Sequence, residues 1–143
     1  MSETMHEITL RIDKAIEAKD TVTILSYFNE NCEIFLSGQK IKGKTEAKKW
    51  TEWLYSYFAE LRIIPENGFV GGSLFFRKFT LKAILHDGSE ILSKQAGVLE
   101  FSDQKIKSLR LDFDRADFDR LDLAYALTKA PGGKKELKVA IEK

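Results

Sequence analysis

The chain has 143 residues and a net charge of +1, with Lys and Arg interleaved with Asp and Glu along its whole length. This length, with 43% hydrophobic and 31% charged residues, predicts a single domain that folds around its own core. No concentrated basic face is visible, which argues against nucleic-acid binding, because that affinity depends on neutralising phosphates.

The composition also argues against metal binding and membrane insertion. Cys32 is the single cysteine, and the two histidines, His6 and His86, lie far apart in the chain. A disulfide within the chain is therefore impossible, and no Cys/His cluster predicts a metal site. No stretch reaches the ~18–20 apolar residues of a membrane span, and no signal-type apolar stretch opens the chain. We expect a cytoplasmic protein with no metal, no cofactor and no membrane association.

The chain begins with two predicted helices. Thr4 and Glu7 fit the capping-box pattern, and apolar residues then recur at helical spacing, which predicts a helix over residues 5–18. Asp20 is placed to cap a second, shorter helix.

A short hairpin and a long helix follow. Residues 32–37 and 40–42 are typical of a strand and its return strand. Residues 44–61 carry apolar side chains at spacings of three and four, which predicts an amphipathic helix with one wide apolar stripe. Pro65 lies beyond its end, where a helix cannot continue.

The second half of the chain predicts an antiparallel sheet. Its strands are expected over residues 62–70, 73–85, 90–101 and 106–113. Asp87-Gly88 is a strong hairpin signal, because a two-residue type I′ turn needs positive φ at both positions.

The last predicted element is a helix over residues 116–129, with Asp114 or Asp117 as its cap. We assign residues 1–130 to one domain and residues 131–143 to a charged C-terminal tail.

Three local motifs carry a resemblance to a known superfamily. They are the join between the first two helices (residues 18–28), the passage from the hairpin into the long helix (residues 32–47) and the final strand pair with its closing Asp (residues 99–114). In this order the elements resemble the nuclear-transport-factor-2-like superfamily, in particular its SnoaL-like and ketosteroid-isomerase-like branch, over residues 5–120. The resemblance implies an α+β fold with two N-terminal helices. A cone-shaped, curved antiparallel or mixed sheet would wrap around the long helix and enclose a cavity.

The resemblance does not extend to ketosteroid-isomerase chemistry. That branch uses a Tyr from the first helix and two carboxylates from the sheet. The matching positions here hold Ile12, Leu36 and Gly97, none of which can transfer a proton. No catalytic residue is assigned.

A polar patch inside the cone is expected from the hairpin register. A two-residue turn pairs His86 with Ser89 and, counting outward, Lys82 with Ser93. The resemblance points this face into the cone, where a few polar groups within apolar walls are typical of a small-ligand site. The patch consists of Lys78, Thr80, Ser93 and Gln95. Two interpretations of Lys78 stay open: a desolvated base or Schiff-base former, or a charged group at the rim.

Three further residues are candidates for ligand contact. Trp53 and Tyr57 lie on the long helix and carry polar tips that need partners. Glu33 on the first strand either approaches the polar patch or faces solvent.

The other face of the hairpin is apolar, which favours a homodimer through the outer face of the sheet. The alternative is that the C-terminal segment folds over that face within one chain. The residues predicted for this interface are Phe79, Leu81, Ala83, Leu92, Ala96 and Val98.

Two functional hypotheses follow. The first is a SnoaL-like protein that binds a small apolar or aromatic ligand, with or without isomerase, cyclase or lyase activity. The second is a non-catalytic dimeric interaction or assembly module with a filled cavity. The sequence leaves open whether the protein is an enzyme.

Overall fold

The computed structural model describes residues 4–114, 116 and 117. The predicted helix over residues 116–129, beyond Asp117, and the predicted tail lie outside the described residues. The elements are α1 (Met5–Glu17), α2 (Thr21–Ser26), β1 (Phe28–Leu36), β2 (Gln39–Lys42), α3 (Lys44–Tyr57), β3 (Phe58–Gly71), β4 (Leu74–Leu85), β5 (Glu90–Ser102) and β6 (Lys105–Phe113).

The first two helices begin at the predicted caps. The Thr4 backbone N–H donates to Glu7 Oε1 at 2.8 Å, and the Glu7 N–H donates to Thr4 Oγ1 at 3.1 Å. This reciprocal pair satisfies two amide groups that have no partner inside the helix. Asp20 caps α2 through its side chain alone, which accepts from the Thr23 N–H at 3.1 Å.

The six strands form one mixed, curved sheet in the order β2-β1-β6-β5-β4-β3. β1 and β6 run parallel, and every other neighbouring pair runs antiparallel. With the helices at the N-terminus and the long helix α3 against the sheet, this is the α+β architecture that the sequence predicts.

Two element bounds differ from the prediction. α3 ends at Tyr57 rather than at residue 61, because Phe58 is extended (φ −106°, ψ 135°) and begins β3. Phe58 and Leu61 are both buried, so the residues that continue the helical apolar pattern pack as strand residues. β1 begins at Phe28 rather than at residue 32, and a bulge between Phe28 and Glu33 takes up the extra residues.

The β4–β5 hairpin turns through three residues, not two. The Leu85 N–H donates to the Ser89 carbonyl and the Gly88 N–H donates to the Leu85 carbonyl, each at 2.9 Å. His86, Asp87 and Gly88 therefore form the loop, and of these three only Gly88 has a positive φ, +89°. This is the three-residue hairpin that ends in a left-handed glycine, which the same Asp-Gly pair also suits.

The extra loop residue shifts the predicted register by one, and the predicted pairing is wrong. Ser93 lies opposite Leu81 rather than Lys82, and Gln95 lies opposite Phe79 rather than Thr80. A shift of one residue moves every side chain of a strand to the other face of the sheet. The odd-numbered residues of β4, not the even-numbered ones, therefore share a face with Ser93 and Gln95.

The core consists of two adjoining clusters on the concave side of the sheet. The larger joins the three helices to every strand except β3, with Ile8, Cys32 and Ile106 among its most buried positions. The smaller lies around Phe58 and Ala83, beneath the C-terminal end of α3. None of the described helices is long and apolar enough to cross a membrane.

Candidate functional site

An internal cavity of about 150 Å³ lies between the sheet and the helices. Residues from α1, α2 and α3 and from five of the six strands line it, so it occupies the interior of the cone. A cavity of this volume holds a molecule the size of benzene. Its walls are mostly apolar, with Ile12, Ile16, Ile34, Leu54, Phe79 and Leu99 among the lining residues.

A buried ion pair forms part of the cavity wall. Arg77 on β4 donates from Nη1 to Asp13 Oδ1 and from Nη2 to Asp13 Oδ2, each at 2.9 Å. The two side chains are only 9% and 12% exposed, respectively. Burial raises the pKa of Asp13, although the hydrogen bonds and charge of Arg77 oppose the rise. The guanidinium also lies over the Phe79 ring, 4.8 Å from its centroid, and is thus fixed from two sides.

A hydrogen-bonded chain positions Gln95 at the cavity. Gln95 Nε2 donates to Ser93 Oγ at 3.3 Å, and Ser93 Oγ donates to Asp117 Oδ2 at 2.8 Å. Ser93 is completely buried and Gln95 nearly so. Gln95 lines the cavity, and its hydrogen bond to Ser93, which is itself bonded to Asp117, fixes the position of its amide group.

Three hydroxyl groups on the helices at the wall are satisfied within the protein, whereas Trp50 Nε1 on α3 is buried and makes no hydrogen bond within the described part of the chain. Thr9 and Thr51 each donate to the carbonyl four residues earlier in their own helices, both at 2.8 Å. The Tyr55 hydroxyl donates to the Ile16 carbonyl at 2.8 Å, and burial raises its pKa to about 12. These three hydroxyl groups are therefore occupied, which leaves the Trp50 indole N–H and the side chains of Asp13, Arg77 and Gln95 as the polar groups that can meet a ligand.

The predicted polar patch is divided between the two faces of the sheet. Ser93 and Gln95 are buried on the concave side, as described. Lys78 is exposed on the opposite face, and Thr80 on that face donates to Glu66 at 3.0 Å. The expectation that Lys78 and Thr80 share a face with Ser93 and Gln95 is wrong, because the hairpin loop contains one more residue than predicted.

The other predicted contact residues lie away from the cavity wall. Trp53 stacks on Tyr57 with ring centroids 5.9 Å apart and packs against the smaller core cluster, whereas Trp50, Leu54 and Tyr55 line the cavity. Glu33 is on the convex face and forms an ion pair with Lys40 at 3.1 Å. Ligand contact by these three residues stays a prediction without support from their positions.

Sequence reasoning missed Asp13 and Arg77, although both carry a detectable signal. Asp13 lies within the apolar stripe of α1, next to Ile12, and Arg77 lies between Phe75 and Phe79 at the same strand parity. A charged residue at a core-facing position needs a partner, so two such residues of opposite charge predict each other. No group of three or more potential metal ligands occurs among residues 4–114, 116 and 117.

Comparison with known proteins identifies the fold. No family profile matches the sequence, and no curated protein matches it. An NTF2-like protein of unknown function from Burkholderia pseudomallei superposes with a TM-score of 0.75 at 19% identity, covering 85% of this chain and 98% of the other. TerC, co-crystallised with polyporic acid, gives a TM-score of 0.73 at 17% identity, covering 81% and 95%.

A third structure, from Pseudomonas putida and described provisionally as a polyketide cyclase, gives a TM-score of 0.69 at 16% identity, covering 82% of this chain and 96% of that one. The chain therefore has the NTF2-like cone fold. The resemblance drawn from residues 5–120 is confirmed at the level of the fold.

Proposed function

We propose that the protein binds a small, mainly apolar molecule inside the cone, with the polar end of the ligand against Asp13, Arg77 and Gln95. The observation that carries the proposal is the cavity of about 150 Å³, whose apolar walls converge on these few polar groups. This combination is typical of a small-ligand site.

The empty space itself supports a binding role. An unfilled apolar cavity of this volume costs roughly 3–4 kcal/mol of stability relative to a packed core. The second hypothesis, an assembly module with a filled cone, would avoid that cost. An open cavity therefore favours ligand binding, and its volume favours a ligand of about one ring.

The proposal concerns binding and assigns no reaction. Ile12 and Leu36, which stand at two positions of the ketosteroid-isomerase acid and base groups, are buried apolar residues. An isomerase, cyclase or lyase activity stays a prediction without assigned residues.

Toluene is a suitable first probe, because it matches the cavity in size and has no polar group. A ligand that binds only the folded state stabilises it, and toluene at ten times its dissociation constant should contribute ~1.4 kcal/mol. For a chain of this length, we expect the midpoint of thermal unfolding to rise by roughly 3–6 °C.

An alanine-to-leucine pair provides the control. Ala47 on α3 is buried at the cavity wall, so Ala47→Leu should fill the space and abolish the toluene shift. Ala96 lies on the convex face, so Ala96→Leu should preserve it. Absence of a toluene shift in the folded wild-type protein, or an equal loss in both variants, would refute the proposal.

We also propose, independently, a homodimer through the convex face of the sheet. Leu92 is 61% exposed there, and Ala96 and Val98, farther along the same face of β5, are half-buried. The other three predicted interface residues, Phe79, Leu81 and Ala83, are on the concave side, so the apolar area of this face is smaller than expected. Sedimentation should show a dimer for the wild type and a monomer for Leu92→Glu, and a monomeric wild type would refute this proposal.

A further inference from the structure

A second space adjoins the cavity on the other side of the buried ion pair. It is a surface groove of about 310 Å³ between the N-terminal half of α1 and the ends of β3 and β4. Thr9 and Arg77 line both the groove and the inner cavity. The guanidinium of Arg77, held by Asp13, therefore stands where the two spaces meet.

A ligand can replace one partner of the ion pair, Asp13, at a lower cost than it can replace the other, Arg77. If a cationic ligand replaced Arg77 on Asp13, the guanidinium would be left buried and charged, because an arginine in a protein does not lose its proton. If an anionic ligand replaced Asp13 on Arg77, the carboxylate of Asp13 could take up a proton and become neutral. An isolated buried charge is the costlier outcome, so exchange of the anion is favoured.

A second contact, independent of Asp13, should hold Arg77 in position during such an exchange. Its guanidinium lies over the Phe79 ring, 4.8 Å from the centroid, and this contact does not depend on Asp13. The planar guanidinium matches a carboxylate with two parallel hydrogen bonds, which it already makes to Asp13.

We propose that the ligand of the cavity is a small aromatic or branched-chain carboxylate, whose carboxylate group replaces Asp13 on Arg77 while its apolar part occupies the cavity. The inference rests on the proposed function and adds the chemical class of the ligand. Each binding event transfers one proton from solvent to the Asp13 carboxylate, so the ligand enters as an anion and the net charge of the site is conserved.

The charges around Asp13 are consistent with this proton uptake. Burial already raises the pKa of Asp13, and the nearby Glu17 raises it further. His6 and Arg77 lower the pKa of Asp13, and Arg77 has the stronger effect, so transfer of the Arg77 hydrogen bonds from Asp13 to the ligand removes the stronger of these two influences. On β3, Glu66 also lines the groove, and it is engaged by Thr80.

Benzoate and benzamide form a matched pair of probes, because they differ in charge but hardly in size. Titration calorimetry at pH 7 should give at least a tenfold tighter dissociation constant for benzoate. Repetition in buffers of different ionisation enthalpy should show uptake of about one proton per benzoate and none for benzamide. The affinity for benzoate should fall about tenfold per unit of rising pH, since one proton enters with the ligand.

Variants separate the exchange from a purely structural ion pair. Asp13→Asn removes the competing anion, so benzoate should bind more tightly and without proton uptake. Arg77→Gln should abolish the preference for benzoate, with toluene binding as the check that the cavity is intact. Arg62→Gln is the control, because Arg62 is exposed and paired with Glu60, and it should leave both probes unchanged.

The outcomes distinguish this inference from the proposed function. If toluene binds but benzoate is no tighter than benzamide, or binds without proton uptake, the carboxylate inference is overturned and the cavity proposal stands. If the folded protein binds neither toluene nor benzoate, both are overturned. Tighter, proton-independent binding of benzoate to Asp13→Asn supports the exchange.

Discussion

The two faces of the β4–β5 hairpin hold similar groups in very different surroundings. On the concave side, Arg77 makes two hydrogen bonds to Asp13 in a pair that is about nine-tenths buried. On the convex side, Lys82 lies 3.6 Å from Glu90, with side chains 31% and 53% exposed. Buried pairs are costly to break, whereas exposed pairs contribute little. Two cations on one strand, Arg77 and Lys82, should therefore differ sharply in how much stability is lost when each is removed.

Removal of the buried cation should have the largest effect. Arg77→Met leaves Asp13 buried without its partner, and we expect a loss of roughly 3–5 kcal/mol in the free energy of unfolding at pH 7. Denaturant unfolding measures the change. Arg62→Met removes an exposed arginine that pairs with Glu60 on the same strand, and should cost less than about 0.5 kcal/mol. Equal losses for the two variants would contradict the contrast between the faces.

The loss of stability in Arg77→Met should depend on pH. The pKa of Asp13 is raised in the folded state, so its contribution to stability is complete below its ordinary value of 3.8 and is lost as the pH rises through the folded pKa. Without the hydrogen bonds and charge of Arg77, that folded pKa rises further and the loss extends to higher pH. The deficit of Arg77→Met should therefore shrink between pH 7 and pH 4, and the added Asp13→Asn change should remove this trend.

Two phenylalanines of β4 allow the stability contributions of the two faces to be compared without any change in charge. Phe79 is 5% exposed at the cavity wall, and Phe79→Ala should cost about 3–5 kcal/mol. Phe76 is half-buried on the convex side, stacked on Phe69 with ring centroids 4.9 Å apart. Phe76→Ala should cost less than half as much in denaturant unfolding. The opposite order would mean that the register of β4 is wrong.

The fold could be predicted from local signals that agree with one another. The capping box at Thr4 and Glu7, the cap at Asp20 and the alternation of β5 each correspond to a contact or burial pattern in the structure. β5 alternates because one of its faces packs in the core and the other is open to solvent. Its buried residues, including Ser93 and Gln95, could therefore be assigned to the concave side from sequence.

β4 gives no comparable signal, and for that reason the predicted face of Lys78 and Thr80 is wrong. Lys78, Thr80 and Lys82 alternate with Arg77, Phe79 and Leu81, so both faces of the strand are mixed and the register depends on the loop alone. The Asp-Gly pair is compatible with a two-residue or a three-residue turn, and the difference of one residue moves Lys78 out of the cone. The partner of Arg77 is on α1, 64 residues away, and no local pattern joins the two.

The loop glycine that sets this register can be tested directly. Gly88 has φ +89°, and a Cβ there would meet no atom within 4 Å, so any cost of substitution comes from the backbone. Gly88→Ala should lower the free energy of unfolding by about 1–2 kcal/mol. Gly88→Asn should cost less, because asparagine adopts positive φ more readily. A cost for asparagine equal to that for alanine would contradict a left-handed residue at this position.

The smallest effect is expected for the residue that a shifted register would place in the cavity. Lys78 is exposed opposite Ala96, so Lys78→Ala should change stability by less than about 0.5 kcal/mol and leave the toluene affinity unchanged. Gln95→Ala, on the concave side, removes a nearly buried amide and leaves the Ser93 hydroxyl without one of its partners, so it should lower stability by about 1–3 kcal/mol. Both are measured by denaturant unfolding and by toluene titration. A loss of toluene binding in Lys78→Ala would return that side chain to the cavity and reverse the assignment of faces on which the comparison rests.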